Sequence, residues 1–306
     1  MNEFDIIAEI FAPLASDPGA FGLKDDAAAI PARPGFDLII TTDQIAEGVD
    51  FFAFDPPAQI AQKALRVNIS DLAAKGARPE FYLLALTLPP GFTKEWLSDF
   101  AAGLKTDQDT FGISLLGGDT SRGEILSIGI TAFGFVPEGK MIKRSGARVG
   151  DAVYVTGTIG DSGGGLAIFK REKHSLSEQE RDYLIGRYRL PEPPVTLAET
   201  LRGLASASVD VSDGLIADLG HLAAASGVRI VVEGEKVPLS APLNQLWGER
   251  ALLRAVAAGD DYQIAFTAKP GLEGPFTQIG RVEEGTGVVL MLAGAETPVA
   301  SGYRHF

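Results

Sequence analysis

The stretch Asn68-Ile69-Ser70-Asp71-Leu72-Ala73-Ala74-Lys75-Gly76-Ala77-Arg78-Pro79 constrains this chain more than any other. Upstream, Ile60, Ala64 and Val67 recur at helical spacing, which predicts a helix from about Ala58 to Gly76 with one apolar stripe. Asn68 and Asp71 fall on that stripe, where Leu or Ala is expected. A carboxylate on a core-facing stripe is costly unless it is paired or bound to a metal. Gly76 followed by Pro79 supplies the helix stop. An ion pair with Lys75 or Arg78 at the edge of the stripe would satisfy Asp71; a cation would do so equally.

At 306 residues the chain exceeds one ordinary core, so two domains of roughly 130–170 residues are expected. A net charge of −13 argues against a general nucleic-acid or anionic-membrane binder and suits a protein that collects carboxylates for cations. The absence of cysteine excludes disulfides, thiolate metal sites and cysteine nucleophiles. No signal-peptide core follows the acidic start, and no apolar run approaches the ~20 residues of a membrane span. The cytoplasm is the expected compartment.

Along the chain, Asn2 to Leu14 reads as an amphipathic helix and Ala15 to Leu23 as a loop ending in Asp25-Asp26. Asp37 to Asp43 is an apolar strand closing in Thr41, Thr42 and Asp43; Phe81 to Leu88 is another. Thr93 is the expected cap for a helix from Lys94 to about Thr110. A short strand from Ile113 to Leu116 runs into the turn-like Gly117-Gly118-Asp119-Thr120, and Ile125 to Val136 alternates as a strand. Pro137 to Gly150, rich in Gly and basic residues, reads as the linker, which sets domains of 1–137 and 138–306.

The second half opens with a strand from Ala152 to Thr156 and a turn-rich run to Gly165. Helices are expected at Leu166–Phe169, Ser177–Tyr188, Thr196–Leu204, after Gly214 to about Ser226, and from Leu243 to about Ala257. Strands are expected at Val228–Glu233, Tyr262–Thr267, Phe276–Val282 and Val288–Leu290. Strands alternating with helices indicate α/β or α+β layers in both halves.

Acidic residues recur where strands end or helices begin: Asp25-Asp26, Asp43, Asp71, Asp119, Asp210 and Asp213. Singly, each has a structural explanation; Ser212-Asp213 could cap a helix, and Asp119 could form a turn. Gathered at one rim, they would repel by ~4 kcal/mol per close pair at an effective dielectric near 20. Divalent cations relieve that repulsion, and oxygen-only ligands favour Mg²⁺ or Mn²⁺ over zinc. His174, His221 and His305 lie away from these segments in sequence. Gly117-Gly118 would admit a phosphate to backbone amides, and Arg144 would add a charge-assisted contact. No P-loop and no kinase His-Arg-Asp signature is present. The run Gly163–Gly165 opens a helix; close packing explains it more simply than an anion site.

Taken in order, Thr41-Thr42-Asp43, Glu47-Gly48-Val49, Lys63 through Ala77, Gly117-Gly118-Asp119-Thr120, Arg144-Ser145-Gly146-Ala147, Tyr154 through Asp161, Asp210 through Leu215 and the closing Gly302-Tyr303-Arg304-His305-Phe306 resemble the thiamine-monophosphate kinases. These belong to the superfamily of aminoimidazole ribonucleotide synthetase. The resemblance implies an N-terminal α+β sheet domain that dimerises, a C-terminal α/β domain, and a homodimer. It also implies transfer of the ATP γ-phosphoryl group to thiamine monophosphate, giving thiamine diphosphate.

Carried over by position, the resemblance makes Asp26, Thr41, Thr42, Asp43, Asp71, Asp119, Asp210 and Asp213 holders of several Mg²⁺ ions. It puts Gly118, Asp119, Arg144 and Ser212 on ATP, and makes Asp43, Asp71, Asp119, Asp210 and Arg144 the catalytic set. Departures fall on the acceptor side. Asp50 stands where many members have His, Asp260 where the usual motif has Glu, and Ala300 where some have Trp, with Tyr303 a substitute. Asp50, Asp260 and Tyr303 are therefore the expected acceptor contacts. Two other readings remain: a superfamily enzyme acting on another small phosphorylated acceptor, and a non-catalytic paralogue that binds thiamine diphosphate or nucleotide.

Overall fold

The structure, a computed structural model, describes residues 3–299 and 302. The chain divides into two compact units, Met1–Leu72 with Ala77–Met141, and Ala73–Gly76 with Ile142–Phe306.

In the first unit, β1 (Phe36–Ala46), β2 (Arg78–Leu88), β3 (Ser114–Arg122) and β4 (Ser127–Pro137) form one sheet in the order β1-β4-β2-β3. β4 pairs antiparallel with β1 and β2, while β2 and β3 are parallel, with a bulge opposite Tyr82 and Leu83. Tyr82, Leu84, Leu86, Ile128, Ile130 and Ala132, alternating along β2 and β4, are buried on one face. The helices are α1 (Glu3–Ile6), α2 (Pro57–Ala74) and α3 (Lys94–Phe111). Thr93 caps α3 as expected, its hydroxyl accepting the Trp96 N–H at 3.1 Å. Between α2 and α3, a Cβ on Gly103 would stand 2.1 Å from the Ala58 carbonyl oxygen, so glycine permits the approach. There the fully buried Asp107 accepts from Arg66 at 2.7 and 2.8 Å and from Gln62 at 2.8 Å.

The expected N-terminal helix changes pitch twice, from α1 to a π turn at Ile7–Phe11 and a 3₁₀ turn at Ala12–Leu14. Pro13 has no N–H with which to continue the α ladder. The expected loop before Asp25 contains a 3₁₀ turn, Pro18–Leu23. Gly117-Gly118-Asp119-Thr120 is not a turn but the middle of β3.

In the second unit, β5 (Ala152–Thr156), β6 (Ala207–Asp210), β7 (Arg229–Glu233), β8 (Ile264–Ala268), β9 (Phe276–Glu283), β10 (Gly287–Leu292) and β11 (Ala295–Thr297) form a sheet ordered β11-β10-β7-β9-β5-β8-β6. Only the β7–β10 pairing is parallel among the described strands of this sheet. Alternate residues of β5 enter opposite cores: Val153 and Val155 pack with Val209, Leu215 and Leu219, and Tyr154 with Phe266, Ile264 and Leu201. Burial on both faces explains why this strand reads as an unbroken apolar run.

The helices here are α4 (Asp161–Phe169), α5 (Glu178–Arg189), α6 (Ala198–Leu204), α7 (Leu215–Ser226), α8 (Ala241–Trp247) and α9 (Ala251–Ala255). Ser177 and Glu180 cap α5 reciprocally. The expected helix from Leu243 to Ala257 is broken at Gly248, whose φ of 55° and ψ of −133° divide α8 from α9. The glycine run lies inside α4, where a Cβ on Gly165 would sit 2.3 Å from the Leu184 carbonyl oxygen. Close packing accounts for it.

Candidate active site

α2 presents polar side chains to β1 in reverse chain order. The Asp71 carboxylate accepts the Thr41 hydroxyl at 2.5 Å, rather than pairing with Lys75 or Arg78. Lys75 donates to the Ser208 carbonyl instead. Just under one turn earlier on α2, the fully buried Asn68 accepts the Asp43 N–H at 2.9 Å and donates to the Ala64 carbonyl at 3.0 Å. Lys63, only 2% exposed, donates to the Asp50 carbonyl at 2.8 Å. The polar residues on the apolar stripe thus fix the register of helix against strand.

The carboxyl of Asp43 is pushed up to about 6, first by restricted hydration and then by the neighbouring Asp71 and Asp50 carboxylates. The side chain keeps an opening to solvent, so the crowding surrounds a reachable group. Asp50 folds back, accepting the Ala46 N–H at 2.8 Å. This oxygen-only cluster, crowded by like charge, has the donor chemistry of a Mg²⁺ site. Thr42 faces the other side of the strand: its hydroxyl donates to the Ile130 carbonyl and accepts from Thr131, both at 3.1 Å.

Asp26 and Asp119 lie elsewhere in the first unit. With Asp25, Gly117, Gly118 and Thr120 they line a cavity of about 830 Å³. A Cβ on Gly118 would stand 1.8 Å from the Leu84 carbonyl oxygen, so contact with β2 already requires glycine there. Gln44, Gly129, Ala85 and Asp119 occupy one row across the four strands. Three spacings of about 4.8 Å therefore put Asp119 roughly 14 Å from Gln44. Asp119 and the Asp43–Asp71 pair do not meet within the unit.

In the second unit, Asp210 is buried at the end of β6. The loop that follows is held by Asp218, one of whose oxygens accepts the N–H groups of Ser212, Asp213 and Gly214 at 3.0, 3.0 and 3.1 Å. Asp218, not Ser212 or Asp213, satisfies this helix start; an acidic residue in the first turn of α7 was the available signal. Burial and the Asp213 charge raise the Asp218 carboxyl to about 7, against the lowering effect of those amides. α7 also returns His221, so that Asp213, Asp218 and His221 each offer a ligand atom within 4.8 Å of the others.

Asp260 reaches this loop, its N–H donating to the Ser212 carbonyl at 2.8 Å, and Gly259 leaves no room for a Cβ there. Asp260 and Tyr262 have φ of +67° and +50°, left-handed conformations uncommon for such residues. Arg144 is exposed, and its carbonyl accepts from Ser226 at the far end of α7 from Ser212, about 18 Å along a helix of this length. Tyr303 and His305 lie outside the described residues.

Residues 24–136 match the family described as AIR synthase related protein, N-terminal domain, and residues 148–293 match its C-terminal domain. A thiamine-monophosphate kinase of Caulobacter vibrioides is 41% identical, covering 99% of this chain and 91% of its own. The chain belongs to the thiamine-monophosphate kinase family. The fold agrees. The crystal structure of the thiamine-monophosphate kinase from Stenotrophomonas maltophilia K279a superposes with a TM-score of 0.85 at 38% identity, covering 95% of this chain and 96% of that one. A structure of AaThiL complexed with AMPPCP and TMP superposes with a TM-score of 0.83 at 35% identity, covering 99% and 97%. Within the thiamine-monophosphate kinase family, this chain is an enzyme of the two-domain AIR-synthase-like fold.

Proposed function

We propose that this chain transfers the γ-phosphoryl group of ATP directly to the phosphate of thiamine monophosphate, releasing thiamine diphosphate and ADP. What carries the reading is the crowded oxygen cluster of Asp43, Asp50 and Asp71 with Thr41, in a chain of this family. An oxygen of the acceptor phosphate bonds to the γ-phosphorus, and the bond to the β,γ-bridging oxygen breaks in line with it. The acceptor oxygen is already ionised near neutral pH, so no general base is needed. Catalysis is then positioning and charge neutralisation.

Asp26, Thr41, Thr42, Asp43, Asp71, Asp119, Asp210 and Asp213 are the proposed Mg²⁺ holders, Thr42 by its backbone oxygen. When bound, Mg²⁺ neutralises phosphate charge. Gly118, Asp119, Arg144 and Ser212 are assigned to ATP; Asp50, Asp260 and Tyr303 are assigned to the acceptor. Asn68 and Thr41 orient the cluster, and Asp218 orients the Ser212–Gly214 amides. The described residues contain no helix long and apolar enough to cross a membrane; the cytoplasm is the compartment assigned in this proposal.

A homodimer belongs to this proposal. β1 and β3 are the two edges of the first sheet, and Phe36, Leu38 and Ile40 on β1 are 50%, 41% and 57% exposed. An exposed apolar edge strand is a template for another strand. A second copy offering its β3 edge to β1 would bring its own Asp119 towards Asp43, closing the roughly 14 Å gap within one unit. Chromatographic detection of thiamine diphosphate after incubation with ATP, Mg²⁺ and thiamine monophosphate tests the activity. If the acceptor is consumed only when replaced by another phosphorylated compound, the Asp50 and Asp260 departures have changed the substrate.

A further inference from the structure

Lys63 is among the largest fully buried side chains of the protein. Enclosing an ammonium group costs free energy that a methionine of similar size would not incur, so packing alone does not explain a lysine. Its Nζ donates to the main-chain carbonyl of Asp50 at 2.8 Å. That carbonyl belongs to a closed turn: the N–H groups of Val49 and Asp50 both donate to the Ala46 carbonyl, at 3.2 and 3.0 Å. The Asp50 carboxylate accepts the Ala46 N–H, and Gly48 at φ +82° donates to the Phe51 carbonyl at 2.8 Å. The turn is therefore stiff within itself, and Lys63 ties it to α2.

The same helix holds Asp43 through Asn68 and Thr41 through Asp71. Three contacts, Lys63–Asp50, Asn68–Asp43 and Asp71–Thr41, thus run in reverse order along β1 and its turn. They set how far the Asp50 turn stands from the Asp43–Asp71 pair.

We infer that Lys63 is a positioning residue for the phosphate-bearing acceptor, fixing the Asp50 turn at a set distance from Asp43 and Asp71. The inference rests on the proposed assignment of Asp50 to the acceptor side. The Lys63 tie reaches neither Gly118 nor Asp119, so ATP binding should be largely indifferent to it.

The test compares full-length Lys63→Met and Lys63→Arg with the unaltered chain by thermal melting, by initial rates with ATP, Mg²⁺ and thiamine monophosphate, and by amide hydrogen exchange over residues 46–52. In Lys63→Met the acceptor KM should rise at least tenfold while the ATP KM stays within twofold. The Val49 and Asp50 amides should exchange at least tenfold faster, and Lys63→Arg should recover part of both effects. An unchanged acceptor KM in folded Lys63→Met would overturn the inference, as would a fall in kcat that merely follows the folded fraction. Should the unaltered chain make no thiamine diphosphate, the kinase reading fails and exchange decides: unchanged exchange at Val49 and Asp50 overturns the tie, and tenfold acceleration upholds it.

Discussion

Thr41 and Asp71, thirty residues apart, are joined by a hydrogen bond from the Thr41 hydroxyl to one Asp71 oxygen at 2.5 Å. A hydroxyl bonded to a half-buried carboxylate contributes about 1.5 kcal/mol. Thr41→Val should lower the unfolding free energy by that order in urea titrations, and Thr41→Ser should keep most of it. A valine variant as stable as the original would mean the contact is energetically idle.

Asp43 supplies a pH dependence. Its carboxyl sits at about 6 in the folded chain against 3.8 for the free group. A raised carboxyl stabilises the fold fully below about 4 and loses that contribution as pH rises through about 6. In metal-free protein, Asp43→Asn should therefore raise the melting temperature more at pH 7.5 than at pH 4. Melts in chelator at the two pH values check this; equal shifts would refute the assigned crowding by Asp71 and Asp50.

Much of this architecture is legible in the sequence, and the exceptions have physical causes. The α2 stripe, the Thr93 cap and the strand entering Asp43 are local patterns and appear where expected. Gly117–Thr120 has the composition of a turn, yet it is strand paired to β2, with Gly118 required where the Leu84 carbonyl leaves no room for a Cβ. Ser212 and Asp213 look like caps, but the carboxylate that serves the loop comes from Asp218, inside the helix. Linear order hid His221, which one helix returns to Asp213. Nor could it show that Asp119 stands three strands from the Asp43 segment, which only the sheet order reveals.

The glycines of the second unit separate packing from permissiveness. Gly165→Ala would place a methyl 2.3 Å from the Leu184 carbonyl oxygen, and forcing α4 from α5 should cost about 2 kcal/mol. Gly186, inside α5, has open space within 4 Å of where a methyl would stand; Gly186→Ala should stabilise by about 0.5–1 kcal/mol. Denaturant melts of the pair check the contrast, and shifts of the same sign would contradict it.

The edge strand makes the assembly testable. Ile40→Lys places a charge on the exposed apolar edge of β1 and should turn a dimer into single chains of 32.3 kDa in sedimentation. A sedimentation mass of one chain for the unaltered protein would rule out the dimer.

The most direct test of the phosphotransfer claim follows the transferred group itself. The purified chain is incubated with Mg²⁺, thiamine monophosphate and ATP labelled in its γ-phosphoryl group, beside a folded Asp71→Asn variant. Label is expected in the terminal phosphate of thiamine diphosphate, equimolar with ADP, and none from the variant. Label appearing only as inorganic phosphate, or an Asp71→Asn variant that turns over like the original, would contradict direct transfer at this cluster.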